Sequence, residues 1–486
     1  MIVCLVIALY LGGMLLISWR TGRGADSHGF FTGGRRSPWP VVALAMVGAG
    51  ISGVTFVSVP GAVEADGWSY LQMVLGFVAG AAVVAWVLIP LFYRMKLVSI
   101  YGYLQQRFGN VSYRTGGWIF FVSKLLGASV RFYVVCVVLQ AIAFDPMHVP
   151  FALNVLLTVA LIWLYSQWGG VKSMIWTDSL KTCCLLLSVV GCIVLVARSL
   201  QMDVWETMDA VCRHRSCRIF YLDDVNDGHY FWKHFTAGIF LMIACTGLDQ
   251  DLMQRTLSCS DSRKAQKNMM VSAVAQVPLI VLFLVLGTLL CLYKEHYPAE
   301  VAGAAGDSLF ATVVWSERCP RVVGIAFVIG LISAAYSAAG SALTALTTSF
   351  TLDILQADRG HDERYLTRIR RRVHVGMALL MAAVIIVFYY MNDDSAINAV
   401  YRLAAYTYGP ILGLFAFGLV CRWPVRDAWV PVVVVTAPLL CYVLQTHSEQ
   451  WLDGYRIGFE LIILNAVVTM MGMMMIRTKK LKNSQT

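Results

Sequence analysis

Long apolar stretches separated by short polar breaks run through almost the whole chain. A helix needs roughly 20 mainly apolar residues to cross the hydrocarbon core of a bilayer. Stretches of about that length fall at 1–18, 39–61, 69–93, 116–142, 149–166, 173–197, 234–254, 268–293, 322–350, 373–391, 396–420, 428–446 and 456–476. The stretch at 149–166 is short and that at 322–350 is long, so their tilts must differ. The pattern predicts an all-α polytopic membrane protein with about 13 transmembrane helices.

Composition supports this. The chain is 58% apolar and 14% charged, with a mean hydropathy of +0.68. A soluble domain carries roughly 25% charged residues, so lipid must be the solvent for most of this surface. The N-terminal stretch has its basic residues after the apolar run (Arg20, Arg23), the reverse of a cleaved signal peptide. It is read as a first span that stays in place.

The net charge of +10 is a topology signal. With the N-terminus outside, the inward segments carry 25 of the 38 Lys and Arg residues and the outward segments, counting Arg456 at a span boundary, carry 9. That split places the C-terminus in the cytoplasm by the positive-inside rule and leaves no reason to invoke a nucleic-acid partner. Arg364, Arg368, Arg370, Arg371 and Arg372 then form an inward anchor at the lipid headgroups. The longest outward loop, 198–233, is mixed in charge and is read as a solvated cap or short helix. It holds Cys212 and Cys217, which are either bonded to each other or free.

Chemistry is concentrated inside the spans. Gly48, Gly50 and Gly53 weaken the second span, which fits either an unwound, cation-binding segment or small-residue helix packing. Hydroxyls at Ser333, Ser337, Ser341, Thr344 and Thr348 recur on one face of the ninth span. They suit a hard cation or a close helix contact. Within the fourth and sixth spans three bases, Lys124, Arg131 and Lys181, stand against one acid, Asp178. That excess points to an anionic solute unless internal pairing cancels it. Arg402 is read as a snorkelling or gating residue. Thr407-Tyr408-Gly409-Pro410 is read as a hinge or a static bend in the eleventh span.

An ordered set of motifs resembles the sodium:solute symporter family. Phe30-Phe31-Thr32-Gly33-Gly34-Arg35-Arg36-Ser37-Pro38-Trp39 looks like the approach to that family's first core helix, and Ile51-Ser52-Gly53-Val54-Thr55-Phe56 like its broken part. Trp176-Thr177-Asp178 is similar to the start of the fifth core helix, and Gly247 to Arg255 resembles the Gln-Arg end of the sixth. Ser337 to Asp353 resembles the eighth, and Tyr408 to Gly413 the tenth. The resemblance implies a five-plus-five inverted-repeat transporter core with discontinuous first and sixth core helices. One extra helix precedes the core at 1–18. Residues 39–254 would hold core helices 1–6, 268–420 core helices 7–10, 428–476 two peripheral helices, and 477–486 a cytoplasmic tail.

The same resemblance implies a sodium ion between the first and eighth core helices. Its ligands would be the carbonyls of Gly48, Ile51 and Ala334 and the hydroxyl of Ser337. Many members carry two adjacent hydroxyls here; this chain has Ser337-Ala338, with Ser341 one turn on as the candidate replacement. Lys181 stands where the family often has Gln, and either pairs with Asp178 or stands in for a cation. A solute pocket is expected near Thr55, Ser58, Gln72, Cys245 and Thr246. The sugar-carrier pattern is absent, since Thr55 and Met242 occupy its Gln and Asn positions.

The expected function is sodium-driven symport of a small solute by alternating access, in a monomer of the cytoplasmic (inner) membrane. Membrane lipid and the solute are its partners, and Na+ is the coupling ion rather than a prosthetic group. A proton-coupled symporter using Asp178 is the alternative. A transporter-like sensor is disfavoured by the short tail, and an enzyme by the lack of HExxH, GxSxG or an expected pair of intramembrane aspartates.

Overall fold

The computed structural model describes residues 10, 12–20, 37–97, 99–140, 144–167, 170–357, 362–391, 396–451, 455 and 457–478. Residues 1–9 and 11 of the first expected span, the motif stretch 30–36 and the tail beyond 478 lie outside the described residues. In chain order the helices are α1 at 12–20, α2 (Trp39–Gly50), α3 (Gly53–Asp66), α4 (Tyr70–Arg94), α5 (Asn110–Leu139), α6 (Phe151–Ser166) and α7 (Gly170–Ser199). They continue with α8 (Phe231–Gly247), α9 (Gln250–Thr256), α10 (Ser262–His296), α11 (Arg321–Ile354), α12 (Glu363–Met391), α13 (Ala396–Val420), α14 (Val430–Trp451) and α15 (Leu461–Met475). Each stretch expected from residue 39 onward coincides with one of these helices or with a bent pair.

Two spans are broken. The chain turns by 57° between α2 and α3 and by 73° between α8 and α9. Each break is followed by a side chain that restarts the helix. Ser52 and Thr55 form a capping box, in which the Ser52 hydroxyl accepts from the Thr55 amide and the Thr55 hydroxyl from the Ser52 amide. Asp249 accepts from the amides of Asp251 at 2.8 Å and Leu252 at 3.2 Å. Both breaks therefore satisfy their new amides locally and leave carbonyls of the preceding half-helix, α2 or α8, without intrahelical donors.

α11 lies at the centre, with 71% of its most apolar window buried, whereas α14 is peripheral, with 28%. α11 packs against α7, α5 and α3 and also touches α2. Its small residues permit this. A Cβ at Gly340 would strike the Tyr165 hydroxyl of α6, so only glycine lets α6 approach there. On the opposite flank, α13 runs as one helix through Pro410 rather than breaking. Proline has no amide to give the Tyr406 carbonyl one turn back. Asn465 of α15, fully buried, supplies the missing donor: its Nδ2 reaches the Tyr406 carbonyl at 3.1 Å and the Ala405 carbonyl at 3.0 Å. Gly409 and Gly413 bring α13 close enough for this, since a Cβ at either would sit 2.6 Å from Asn465 or Thr469.

The 198–233 loop holds a short helix, Val204–Arg213, and is mostly exposed. Its later part is tied to the bundle by Gln72, whose side chain donates to the His229 carbonyl at 2.9 Å and accepts from the Tyr221 amide at 3.3 Å. His229 sits between Asp66 and Asp227, each 3.1 Å away. Cys212 and Cys217 are free thiols.

Replacing Asn465 by Leu should leave the buried Tyr406 carbonyl short of a donor and cost about 1–3 kcal/mol of stability. Thermal unfolding in detergent reads this, and an unchanged melting temperature would refute the assigned role. The hydrogen bond to Asp66, with a further one to Asp227, raises the His229 pKa above its ordinary 6.5. The loop's docking is therefore fully supported below that ordinary value and loses the contribution as pH rises through the raised one. Amide protection factors across 221–229 should fall between about pH 6 and about pH 8, and His229→Gln should abolish the change.

Candidate functional site

Between the two breaks lies a cavity of about 130 Å³. Ala49 to Ser52 and Thr55 line it from the first break, and Cys245, Thr246, Asp249 and Asp251 from the second. Lys124 and Arg131 of α5, Ala338 and Ser341 of α11, Gln276 of α10 and Tyr408 of α13 complete it. Of the expected solute residues, Thr55, Cys245 and Thr246 meet here. Ser58 and Gln72 lie elsewhere: Ser58 is fully buried one turn along α3, and Gln72 is occupied in holding the 221–229 segment.

Behind the cavity runs a chain of buried charges. Lys124 is 3.0 Å from Asp249 and 2.9 Å from Asp251. Asp251 meets Arg255 at 3.3 Å, one helical turn away. Arg255 meets Asp178 of α7 at 2.8 Å, and Asp178 meets Lys181 at 3.1 Å. The Arg255–Asp178 contact is an ion pair without hydrogen-bond alignment. None of the six side chains is more than 8% exposed. Tyr408 adds a hydrogen bond to Asp249 at 2.5 Å from α13. Three carboxylates and three cations thus balance across α5, α7 and α9. Charges buried in this way persist only when paired.

This corrects the charge reading of the spans. Asp249 and Asp251 lie within the expected 234–254 span, so the three bases do not face Asp178 alone. Lys124 and Lys181 are neutralised. Arg131 is not: it lines the cavity and has no hydrogen-bond or ion-pair partner among the described residues. The i, i+4 spacing of Asp251 and Arg255 was a visible sign of an internal pair. That Lys124 would reach the same carboxylates from 125 residues away was not visible.

The expected sodium ligands are placed as follows. Gly48 belongs to the last turn of α2, and Ile51 is the residue after its end. Ala334 and Ser337 lie on α11, which touches α2. On the hydroxyl face of α11, Ser341, Thr344 and Thr348 bond carbonyls of their own helix, at 3.0, 3.3 and 2.9 Å. Ser337 differs from these three: its hydroxyl, like that of Ser333, is buried without a hydrogen-bond partner among the described residues. A hydroxyl that helix packing leaves unsatisfied, on a helix that touches α2, suits a hard cation with oxygen ligands. No group of three or more His, Cys, Asp or Glu side chains with metal-binding geometry occurs among the described residues.

A model of the sodium:solute symporter family matches residues 30–424. The chain is 27% identical over 389 residues to the sodium-dependent multivitamin transporter of Oryctolagus cuniculus, covering 78% of this chain but only 59% of that protein. It is 24% identical over 477 residues to the sodium/sialic acid symporter of Aliivibrio fischeri, covering 95% of this chain and 91% of that one. It is 23% identical over 432 residues to the human sodium/iodide cotransporter, covering 85% and 64%. Among solved structures, a substrate-bound outward-open Na+-coupled sialic acid symporter superposes with a TM-score of 0.83 at 17% identity, over 98% of this chain and 97% of that one. That likeness shows the fold, an inverted-repeat transporter core.

Arg255 joins Asp251 to Asp178, so Arg255→Met should leave one buried carboxylate charge in excess and destabilise the protein by about 3–5 kcal/mol. The double variant Asp178→Asn with Arg255→Met restores the balance and should recover part of that loss. Chemical or thermal unfolding in detergent separates the two, and equal stability of Arg255→Met and wild type would exclude a linking role.

Proposed function

Because the chain belongs to the sodium:solute symporter family, we propose that it uses the sodium gradient to import a small organic anion by alternating access. It does so as a monomer in the cytoplasmic membrane, with its N-terminus outside and its C-terminus in the cytoplasm. The observation that carries the anion is Arg131, which lines the cavity without an ion-pair or hydrogen-bond partner among the described residues, while Asp249 and Asp251 on the same wall are taken up by Lys124. A guanidinium binds a carboxylate through two parallel hydrogen bonds. In the partly desolvated cavity that contact is worth more than in water. Thr55 and Thr246 offer hydroxyls, and Cys245 a softer wall, to the rest of the solute. The relatives support the charge, since sialic acid, monocarboxylates and iodide are all anions.

Sodium is cargo in this reading. The carbonyls of Gly48, Ile51 and Ala334 and the hydroxyl of Ser337 would hold it, with Ser341 one turn away. Bound there, it fastens the end of α2 to α11 and so fixes the first break, which forms one wall of the solute cavity. Binding of ion and solute is thereby coupled through a shared backbone segment. The membrane potential adds about 2.3 kcal/mol per charge per 100 mV to the chemical gradient. Sodium is favoured over a proton-coupled route because Asp178, the carboxyl such a route would use, has its two oxygens engaged by Lys181 and Arg255.

Uptake of a panel of small carboxylates, sialic acid included, into proteoliposomes tests both parts. Transport should stop when choline replaces sodium. Arg131→Gln should raise the solute KM by about 10- to 100-fold, the equivalent of about 1.5–3 kcal/mol for a charged hydrogen bond, while sodium dependence persists. Undiminished transport in choline would reject sodium coupling, and a wild-type KM in Arg131→Gln would reject the anion assignment.

A further inference from the structure

One end of the buried charge chain has the form of an ion site whose ion is part of the protein. Lys181 of α7 is 1% exposed. Its Nζ lies 3.1 Å from the Asp178 carboxylate, 3.1 Å from the Tyr336 carbonyl of α11 and 3.4 Å from the Tyr165 hydroxyl of α6. The Tyr165 ring adds its π face, with the centroid 4.7 Å away. The Tyr165 hydroxyl donates its proton to the Tyr336 carbonyl at 2.6 Å, so what it turns to the ammonium is lone-pair density. Gly340 is what allows that tyrosine to stand so close to α11. An anionic oxygen, a carbonyl and a hydroxyl converging from three helices are the donor set a small monovalent cation takes.

We propose that the Lys181 ammonium is a tethered replacement for a second bound sodium ion, and that it limits this transporter to one exchangeable sodium per cycle. The argument is charge balance. Asp178, Asp249 and Asp251 are neutralised by Lys124, Lys181 and Arg255 with none in excess. A diffusible cation at the Lys181 position would serve the same balance but would leave for the cytoplasm with the solute. A lysine cannot leave, so the junction of α6, α7 and α11 stays closed whether or not sodium is present. Only the ion between α2 and α11 then contributes to coupling. Removing the ammonium while keeping its volume would leave an uncompensated carboxylate inside an oxygen cage, which must recruit a cation from solution.

The inference rests on the sodium reading above for the first ion, and the experiment separates the two. Equilibrium binding of radioactive sodium to purified protein, without solute, counts bound ions directly. Wild type should bind one, and Lys181→Met should bind two, with sodium raising its melting temperature more than it raises that of wild type. Lys181→Arg, which keeps the charge, should bind one. Asp178→Asn with Lys181→Met, which restores neutrality, should also bind one. Two ions on wild type would overturn the proposal without recourse to any variant. So would a folded Lys181→Met that still binds one ion, or one whose melting temperature answers to pH and not to sodium, since a proton would then be filling the charge. No ion on wild type with one on Lys181→Met would instead reject the first sodium site and uphold this one.

Discussion

The buried chain of charges from Lys124 to Lys181 is the constraint on which the rest of this structure depends. A single unpaired charge in a hydrocarbon-facing bundle costs several kcal/mol, so the six groups hold their helices in one mutual arrangement. α5 contributes one cation, the restart of the second broken helix two carboxylates and an arginine, and α7 the last carboxylate and lysine. Lys181 and Tyr165 extend the connection to α11 and α6 through the Tyr336 carbonyl, and Tyr408 extends it to α13. The network links helices of the first repeat with helices of the second. Any motion that opens the cavity must carry these groups together or exchange their partners.

The two helix breaks sit directly on this network. Asp249 both caps α9 and receives Lys124, so the position of the second break and the position of the charge chain are one fact. The first break has a neutral cap, Ser52 with Thr55, and leaves its carbonyls to be satisfied from elsewhere. The unpartnered hydroxyl of Ser337 lies on the neighbouring helix. One break is therefore internally neutralised, and the other has a neutral cap and no charged side chain of its own. In the proposed mechanism that asymmetry lets sodium act on one half of the site while the other half stays fixed, and leaves Arg131, outside the pairing, as the charge offered to a solute.

Much of this was legible in the chain. Apolar stretches of spanning length and few charges determined an all-helical membrane protein, because lipid admits only helices and closed barrels, and runs of about 20 apolar residues fit the helix and not the shorter barrel strand. Glycines at 48, 50 and 53 marked the first break, and the ordered motifs from Ile51 to Pro410 marked the transporter core. Thr55, Cys245 and Thr246, expected at a solute pocket, line the cavity between the breaks.

Only tertiary structure decided how the charges combine. Spacing offered Asp178 with Lys181 as one alternative and would have allowed Asp251 with Arg255, since residues three or four apart share a helix face. It gave no sign that Lys124 meets Asp249, that Arg255 crosses to Asp178, or that Arg131 is left alone, because those outcomes depend on which faces of separate helices meet. Gln72, expected at the solute, holds a loop instead, and Pro410, expected at a bend, is accommodated by Asn465 of another helix. In each case the partner is distant in the chain and near in the bundle. Local periodicity determines which side of a helix a residue takes. The packing of helix on helix determines what it finds there.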